Sequence, residues 1–303
     1  MSMPEGILNL NKRPGPTSHD VVDHVRRLTG VRRVGHAGTL DPLAAGVLLV
    51  CIGRATRVAE YLMAGHKVYR ARVRLGISTD TYDAEGMITS EAPVEVDRAQ
   101  VEAALSSFRG VIAQVPPVYS AIKHQGTPLH RLARRGVAVE QIQLKARQVE
   151  ILRLELAAWE PPECTLDVTC SPGTYVRALA HDLGQALGCG AHLSGLTRLA
   201  SGRFRVEDAV TLEEFAEIAA QGRWAARLHP IDAALTRFRP LYVDADAARR
   251  LCSGQPIFFP SGDTVDDPLA RAYGPDRVFL ALVAYDPEAN VWRPRKVFCP
   301  LER

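Results

Sequence analysis

The sequence predicts an α+β fold, a mostly antiparallel mixed sheet flanked by helices and loops, followed by a small β-rich C-terminal domain. Three observations carry this. Strand-like and helix-like segments alternate irregularly rather than repeating a βαβ unit. No Gly-rich dinucleotide or phosphate loop joins any pair of them, and GHAG (35–38) lacks the Gly-Lys-Ser/Thr ending of a P-loop. Beyond HPIDAALTRFRP (229–240) the remaining chain is short and strand-rich, as expected of a small second domain that docks on the first.

Taken in order, Thr17 and Asp20 form a capping box ahead of apolar Val21, Val22, Val25 and Leu28, which predicts an amphipathic helix. VLLVCI (47–52) is a continuous apolar run and reads as a strand buried on both faces. VYRARVRL (68–75) alternates, with Tyr69, Ala71, Val73 and Leu75 on a core side and Arg70, Arg72 and Arg74 on a basic side. VDRAQVEAALSSFRG (96–110) has Asp97 as N-cap, Gln100 as its box partner and Gly110 as a stop; VTLEEFAEIAAQG (210–222) repeats that grammar with Thr211 and Glu214. TLDVTC (165–170) alternates as a strand and turns through Ser171-Pro172-Gly173 into a helix with Val176, Leu179, Ala180, Leu183 and Leu187 on one face. Past the boundary come a short helix (245–254) and two strands (277–285, 291–298).

The chain has 303 residues, 47% hydrophobic and 23% charged, which excludes disordered and fibrous classes. No stretch approaches the ~18–20 apolar residues of a membrane span, and the N-terminus has no signal-peptide core, so the expectation is a cytoplasmic protein. Six scattered cysteines include no C-x-x-C pair, and Cys189 with His192 is a lone C-x-x-H, so neither a metal centre nor a disulfide is expected. Net charge is only +3, but two clusters are basic. Residues 12–33 carry six Lys/Arg against Asp20 and Asp23; residues 119–147 carry six against Glu140, with His124 and His130 added. Such clusters suit a local polyanion footprint or a solvated surface.

Asp41 stands in GHAGTLDPLAAGVL (35–48), a glycine-rich loop that leads into an apolar strand. Asp before Pro is by itself a turn device. A functional carboxylate would need shelter from water and a cation to keep it ionised, and chemistry for which one carboxylate suffices. Retaining glycosidases need a second carboxyl. The only dense acidic stretch, STDTYDAEG (78–86), has Asp80, Asp83 and Glu85 at spacings that match no EF-hand loop.

GHAGTLDP (35–42) resembles the catalytic motif of the TruB family of RNA pseudouridine synthases. Four further segments are similar to family motifs in the expected order: KRPGPTS (12–18), KVYRARVRLGISTDTYDAEG (67–86), QVPPVYSAIKHQG (114–126) and SPGTYVRALAHDLGQALGCGAHLSGLTRLASGRF (171–204). The resemblance spans residues 7 to about 230. It implies the pseudouridine synthase fold, with a catalytic domain over 1–232, an RNA-gripping insertion at about 119–147 and a PUA-like RNA-binding domain over 235–303. Arg13, His130 and Thr197 depart from the family pattern, the last in LTR (196–198), where L-R-R is common.

The resemblance also implies roles. Asp41 would be the nucleophile, attacking ribose or uracil while the C1′–N1 bond is exchanged for C1′–C5. Whether it forms an acylal, adds to C6 or acts through a glycal is left open. Arg177 would pair with Asp41. Tyr69 would stack on the uracil and serve as a proton acceptor, Tyr175 and Leu196 would line the base pocket, His36 would fill space or contact phosphate, and Lys12 would brace the loop. Lys123, Arg131, Arg134 and Arg135 would bind RNA. The implied activity is uridine-to-pseudouridine isomerisation at position 55 of the tRNA T loop, by base flipping, in a monomer that needs no cofactor, no metal, no protein partner and no membrane. A guide-RNA-dependent synthase and a non-catalytic tRNA-binding or folding factor are the alternatives.

Overall fold

The computed structural model of the chain describes residues 3–117, 119, 123–124, 127–128, 145–258 and 267–299. In chain order its first part runs β1 (Gly6–Lys12), α1 (Ser18–Thr29), β2 (Val34–His36), β3 (Ala44–Ile52), α2 (Ala59–Met63), β4 (Lys67–Leu75), β5 (Ile77–Thr79), β6 (Ile88–Glu91), α3 (Arg98–Leu105) and β7 (Gly110–Gln114). Short β8 (Lys123–His124) and β9 (Thr127–Pro128) precede β10 (Arg147–Glu160), β11 (Glu163–Cys170), α4 (Val176–Ala186), β12 (Ala191–Ser201), β13 (Phe204–Arg205), β14 (Val210–Thr211), α5 (Leu212–Ala220) and β15 (Leu228–His229). Then come β16 (Arg239–Tyr242), α6 (Ala245–Cys252), β17 (Leu269–Tyr273), β18 (Phe279–Asp286) and β19 (Val291–Val297).

Among the described residues one sheet holds eleven strands in the order β14-β1-β3-β12-β4-β11-β10-β7, with β13 on β12, β15 on β1 and β2 on β3. Only β1/β14 and β3/β12 run parallel, so the sheet is mixed and mostly antiparallel, as expected. The apolar run of β3 has a direct cause. Leu48, Val50 and Ile52 face one core with α1 and α4, while Val47, Leu49 and Cys51 face a second core on the opposite side. A strand sandwiched in this way has no polar face.

Capping boxes at Thr17–Asp20, Asp97–Gln100 and Thr211–Glu214 start α1, α3 and α5. Each closes two otherwise orphaned N–H groups at the helix start. The basic side of β4 is not a free cationic stripe: Arg70 forks onto Asp167 and Arg72 reaches Glu163, both on neighbouring β11.

Two features carry no signal in the sequence. β12 lies at the centre of the sheet, between β3 and β4, although AHLSGLTRLAS has no clean alternation. Its close approach to β3 depends on Gly46, at φ +97°, where a Cβ would sit 2.2 Å from the Arg198 carbonyl oxygen. Cys252 and Cys299, expected to be free, form a disulfide that ties the end of α6 to the segment after β19. They are 47 residues apart, so no local spacing announces the pair.

The second sheet runs β16-β17-β18-β19, and Pro294 is tolerated because β19 is an edge strand. It has its own core around Leu241, Leu251, Val283 and Trp292. Leu282 and Phe298 also join the core behind β3 with Ile231, Leu235 and Phe238, so the segment at 229–240 is packed rather than loose.

Candidate active site

Asp41 lies in the connection from β2 to β3, and three elements fix that loop. Ser18, at the start of α1, both donates to and accepts from the Leu40 backbone through its hydroxyl, at 2.9 and 2.8 Å. Lys12, at the end of β1, is buried and donates to the carbonyls of Arg13, Pro42 and Ala44 at 3.0, 3.1 and 2.7 Å. Arg198, on β12, is 1% exposed and donates to Val47, Thr39 and Gly38 carbonyls at 2.7, 3.3 and 3.0 Å. Backbone carbonyls that would otherwise be orphaned in a tight loop are thereby satisfied, and the loop has little freedom.

Arg177 enters from the first turn of α4, just after Tyr175 at the N-cap. Its Nε lies 3.0 Å from Asp41 Oδ2, an ion-pair contact rather than a linear hydrogen bond. Its Nη1 donates to Asp83 Oδ2 at 3.0 Å and to the Thr81 carbonyl at 3.2 Å, and its Nη2 donates to the Tyr119 carbonyl at 3.0 Å. The guanidinium therefore does not fork onto Asp41 alone; it bridges two carboxylates.

This overturns the expectation of a lone acid. Asp83 sits in the loop between β5 and β6, and its other oxygen accepts from the Thr81 hydroxyl at 2.6 Å and the Glu85 N–H at 3.1 Å. Side-chain exposure separates the three groups: 7% for Arg177, 4% for Asp83 and 36% for Asp41. Arg177 and Asp83 form the buried base of the cluster, and Asp41 is its accessible member.

Burial pushes the Asp41 carboxyl above its ordinary range. Arg177 and Lys12 oppose that rise, and the nearby Asp83 charge adds to it. An adjacent Arg was expected to lower this group, but here desolvation and a second acid outweigh the cations. Lys12 is pushed down to about 8 by burial, against the pull of Asp41 and Glu85.

Tyr69 is half-buried on β4, close enough to Asp41 to feel its charge, with its phenol raised chiefly by burial and drawn back down by Arg198. Tyr175 is held through its backbone by the buried Gln114 amide, which donates to its carbonyl at 3.0 Å and accepts from its N–H at 2.8 Å. Leu196 is 9% exposed and packs in the core shared by α1 and α4. His36 is partly buried beside His19 and Arg198, which, after burial itself, hold its imidazole below its usual range. The side chains of Lys123, Arg131, Arg134 and Arg135 lie outside the described residues.

Sequence reasoning missed Asp83, Arg198 and Gln114. Asp83 stands in STDTYDAEG, whose spacing matches no calcium loop and gives no sign of a partner 94 residues away. Nothing local marks Arg198 or Gln114 as buried.

Residues 26–176 match the family model described as TruB family pseudouridylate synthase (N terminal domain). Residues 177–236 match that of the tRNA pseudouridylate synthase B C-terminal domain. A relative from Chromohalobacter salexigens, named tRNA pseudouridine synthase B, is 45% identical over 294 residues, covering 97% of this chain and 94% of the relative. Among solved structures, a Cbf5-Nop10-Gar1 complex aligns with TM-score 0.75 and 26% identity, over 97% of this chain and 85% of that one. An H/ACA RNP bound to a substrate RNA containing 2′-deoxyuridine aligns with TM-score 0.74 and 25% identity, with the same coverage. The fold is that of pseudouridine synthases, and the chain belongs to the TruB family of pseudouridylate synthases.

Proposed function

We propose that the chain converts uridine to pseudouridine at position 55 in the T loop of tRNA, with Asp41 as the nucleophile. The observation that carries this reading is the Arg177–Asp41 contact at 3.0 Å, in which the cation is buried and the carboxylate is the accessible partner. A buried guanidinium favours the attacking, ionised form of Asp41 and fixes its direction, while Asp83 holds the guanidinium from the other side.

The target uridine leaves its stack, at a cost of a few kcal/mol, and is brought to Asp41. Attack by the carboxylate, on the ribose or on the uracil ring, accompanies cleavage of C1′–N1. The freed uracil turns, C5 bonds to C1′, and Asp41 leaves as the same carboxylate. The C5 proton is lost, N1 gains one, and the reaction is balanced without an external reagent. Tyr69, whose phenol feels the Asp41 charge, is assigned to stack on the base and accept that proton.

We assign residues 1–232 to catalysis and 235–303 to RNA binding, in a cytoplasmic monomer that grips the T stem-loop without a protein partner. The test is the purified chain on a bare T stem-loop RNA, with the modified position mapped. Pseudouridine at the position equivalent to 55 supports the proposal; its absence at saturating enzyme refutes it. The likeness to the Cbf5 complex favours one other reading, a synthase that needs a guide RNA and partner proteins. Activity that appears only when those are added would select it.

A further inference from the structure

Arg198 is a buried cation that the reaction as outlined does not use. It donates to three carbonyls, two from the loop that carries Asp41 and one from β3. Its backbone is pressed against Gly46, which lets β12 lie close to β3. In the antiparallel register of β12 and β4, Arg198 is the direct partner of Tyr69. Directly paired residues of adjacent strands project on the same face with Cβ atoms about 5 Å apart. The guanidinium lies close enough to the Tyr69 phenol for its charge to oppose the rise that burial brings there.

We propose that Arg198 is a positioning residue that locks the Asp41 loop and the Tyr69 hydroxyl to one rigid planar group. The inference rests on the functional reading above and deepens it. Arg177 orients the carboxylate from beneath; Arg198 sets the distance between that carboxylate's loop and the phenol on β4. The planar fork matters, because its donors point along fixed directions to carbonyls of the Asp41 loop and β3, beside the paired Tyr69. A lysine ammonium supplies the charge but not those directions.

The charge of Arg198 is felt around it. It helps depress Lys12 and His36, in both cases after burial and other neighbours, and it is the largest influence opposing the burial of Tyr69. A guanidinium donating to the phenol oxygen leaves the phenol's own proton to be given elsewhere and favours the phenolate, which suits a proton acceptor.

The test compares single-turnover rates of wild type, Arg198→Lys, Tyr69→Phe and the double variant on a T stem-loop, with RNA affinity and Tm measured for each. Arg198→Lys is expected to slow turnover about 30-fold with RNA affinity within about threefold of wild type, and its effect is expected to shrink at least threefold in the Tyr69→Phe background. An equal effect in both backgrounds, or a wild-type rate for Arg198→Lys, overturns the proposal. A second measurement leaves Arg198 in place. Its side-chain Nε–H resonance, protected by the Val47 carbonyl, is expected to shift on Tyr69→Phe, and an unmoved resonance overturns the coupling whether or not Arg198→Lys folds. Inactive wild-type enzyme would instead refute the functional reading, so the two failures are distinguishable.

Discussion

Arg177→Lys removes the link between the two carboxylates while keeping the charge. The guanidinium reaches Asp41 and Asp83 at 3.0 Å each, and the Thr81 and Tyr119 carbonyls at 3.2 and 3.0 Å. A single ammonium cannot span all four, because its donors radiate from one nitrogen. The buried Asp83 is the partner it would keep, since leaving that carboxylate unpaired is the costlier outcome. The contact to Asp41 is then lost; a hydrogen bond to a charged group is worth about 1.5–3 kcal/mol, and this non-linear ion-pair contact belongs at the low end, about 1.5 kcal/mol. At about 1.4 kcal/mol per tenfold, turnover should fall by about tenfold. The assay is single-turnover tritium release from tRNA labelled at C5 of uridine, with RNA affinity measured by filter binding. A folded variant that turns over within threefold of wild type would show that the contact does not aim Asp41.

Asp83→Asn withdraws the negative charge that helps raise Asp41, so the acid limb of the single-turnover pH profile should move to lower pH; an unmoved or higher limb contradicts this. Asp41→Asn bears on stability. Because the Asp41 pKa is raised on folding, the folded protein holds more protons than the unfolded chain between the ordinary and the raised value, and this group's contribution is lost as pH rises through the raised pKa. The variant should therefore melt at or above the wild-type temperature at pH 7.5, with the difference closing as pH falls below that pKa. Gly46→Ala would force a Cβ to 2.2 Å from the Arg198 carbonyl at φ +97°, and should cost about 3 kcal/mol or more in urea unfolding.

The sequence made some of this legible because the signals are local. Thr17 with Asp20 marks a helix start through contacts three residues apart, and the two-faced burial of β3 is written as an unbroken apolar run. The Asp41 loop was readable from its glycines and from motif resemblance. What stayed hidden depends on partners distant in the chain. Asp83 joins the Asp41 cluster only when α4 brings Arg177 to it. Arg198 looks like a surface arginine until β12 is seen between β3 and β4, and β12 itself breaks alternation at a bulge by Gly195. Cys252 and Cys299 carry no spacing signal, and only the fold of the second sheet brings them together.

The central claim is that Asp41 bonds to the nucleotide, and its most direct measurement is single-turnover tritium release by Asp41→Asn at saturating enzyme, alongside its affinity for the same tRNA. Asn keeps the shape of the side chain but cannot attack as an anion. The account predicts tRNA binding within a few fold of wild type and no tritium release above background. Release at even a hundredth of the wild-type rate, from a preparation free of wild-type enzyme, would contradict it.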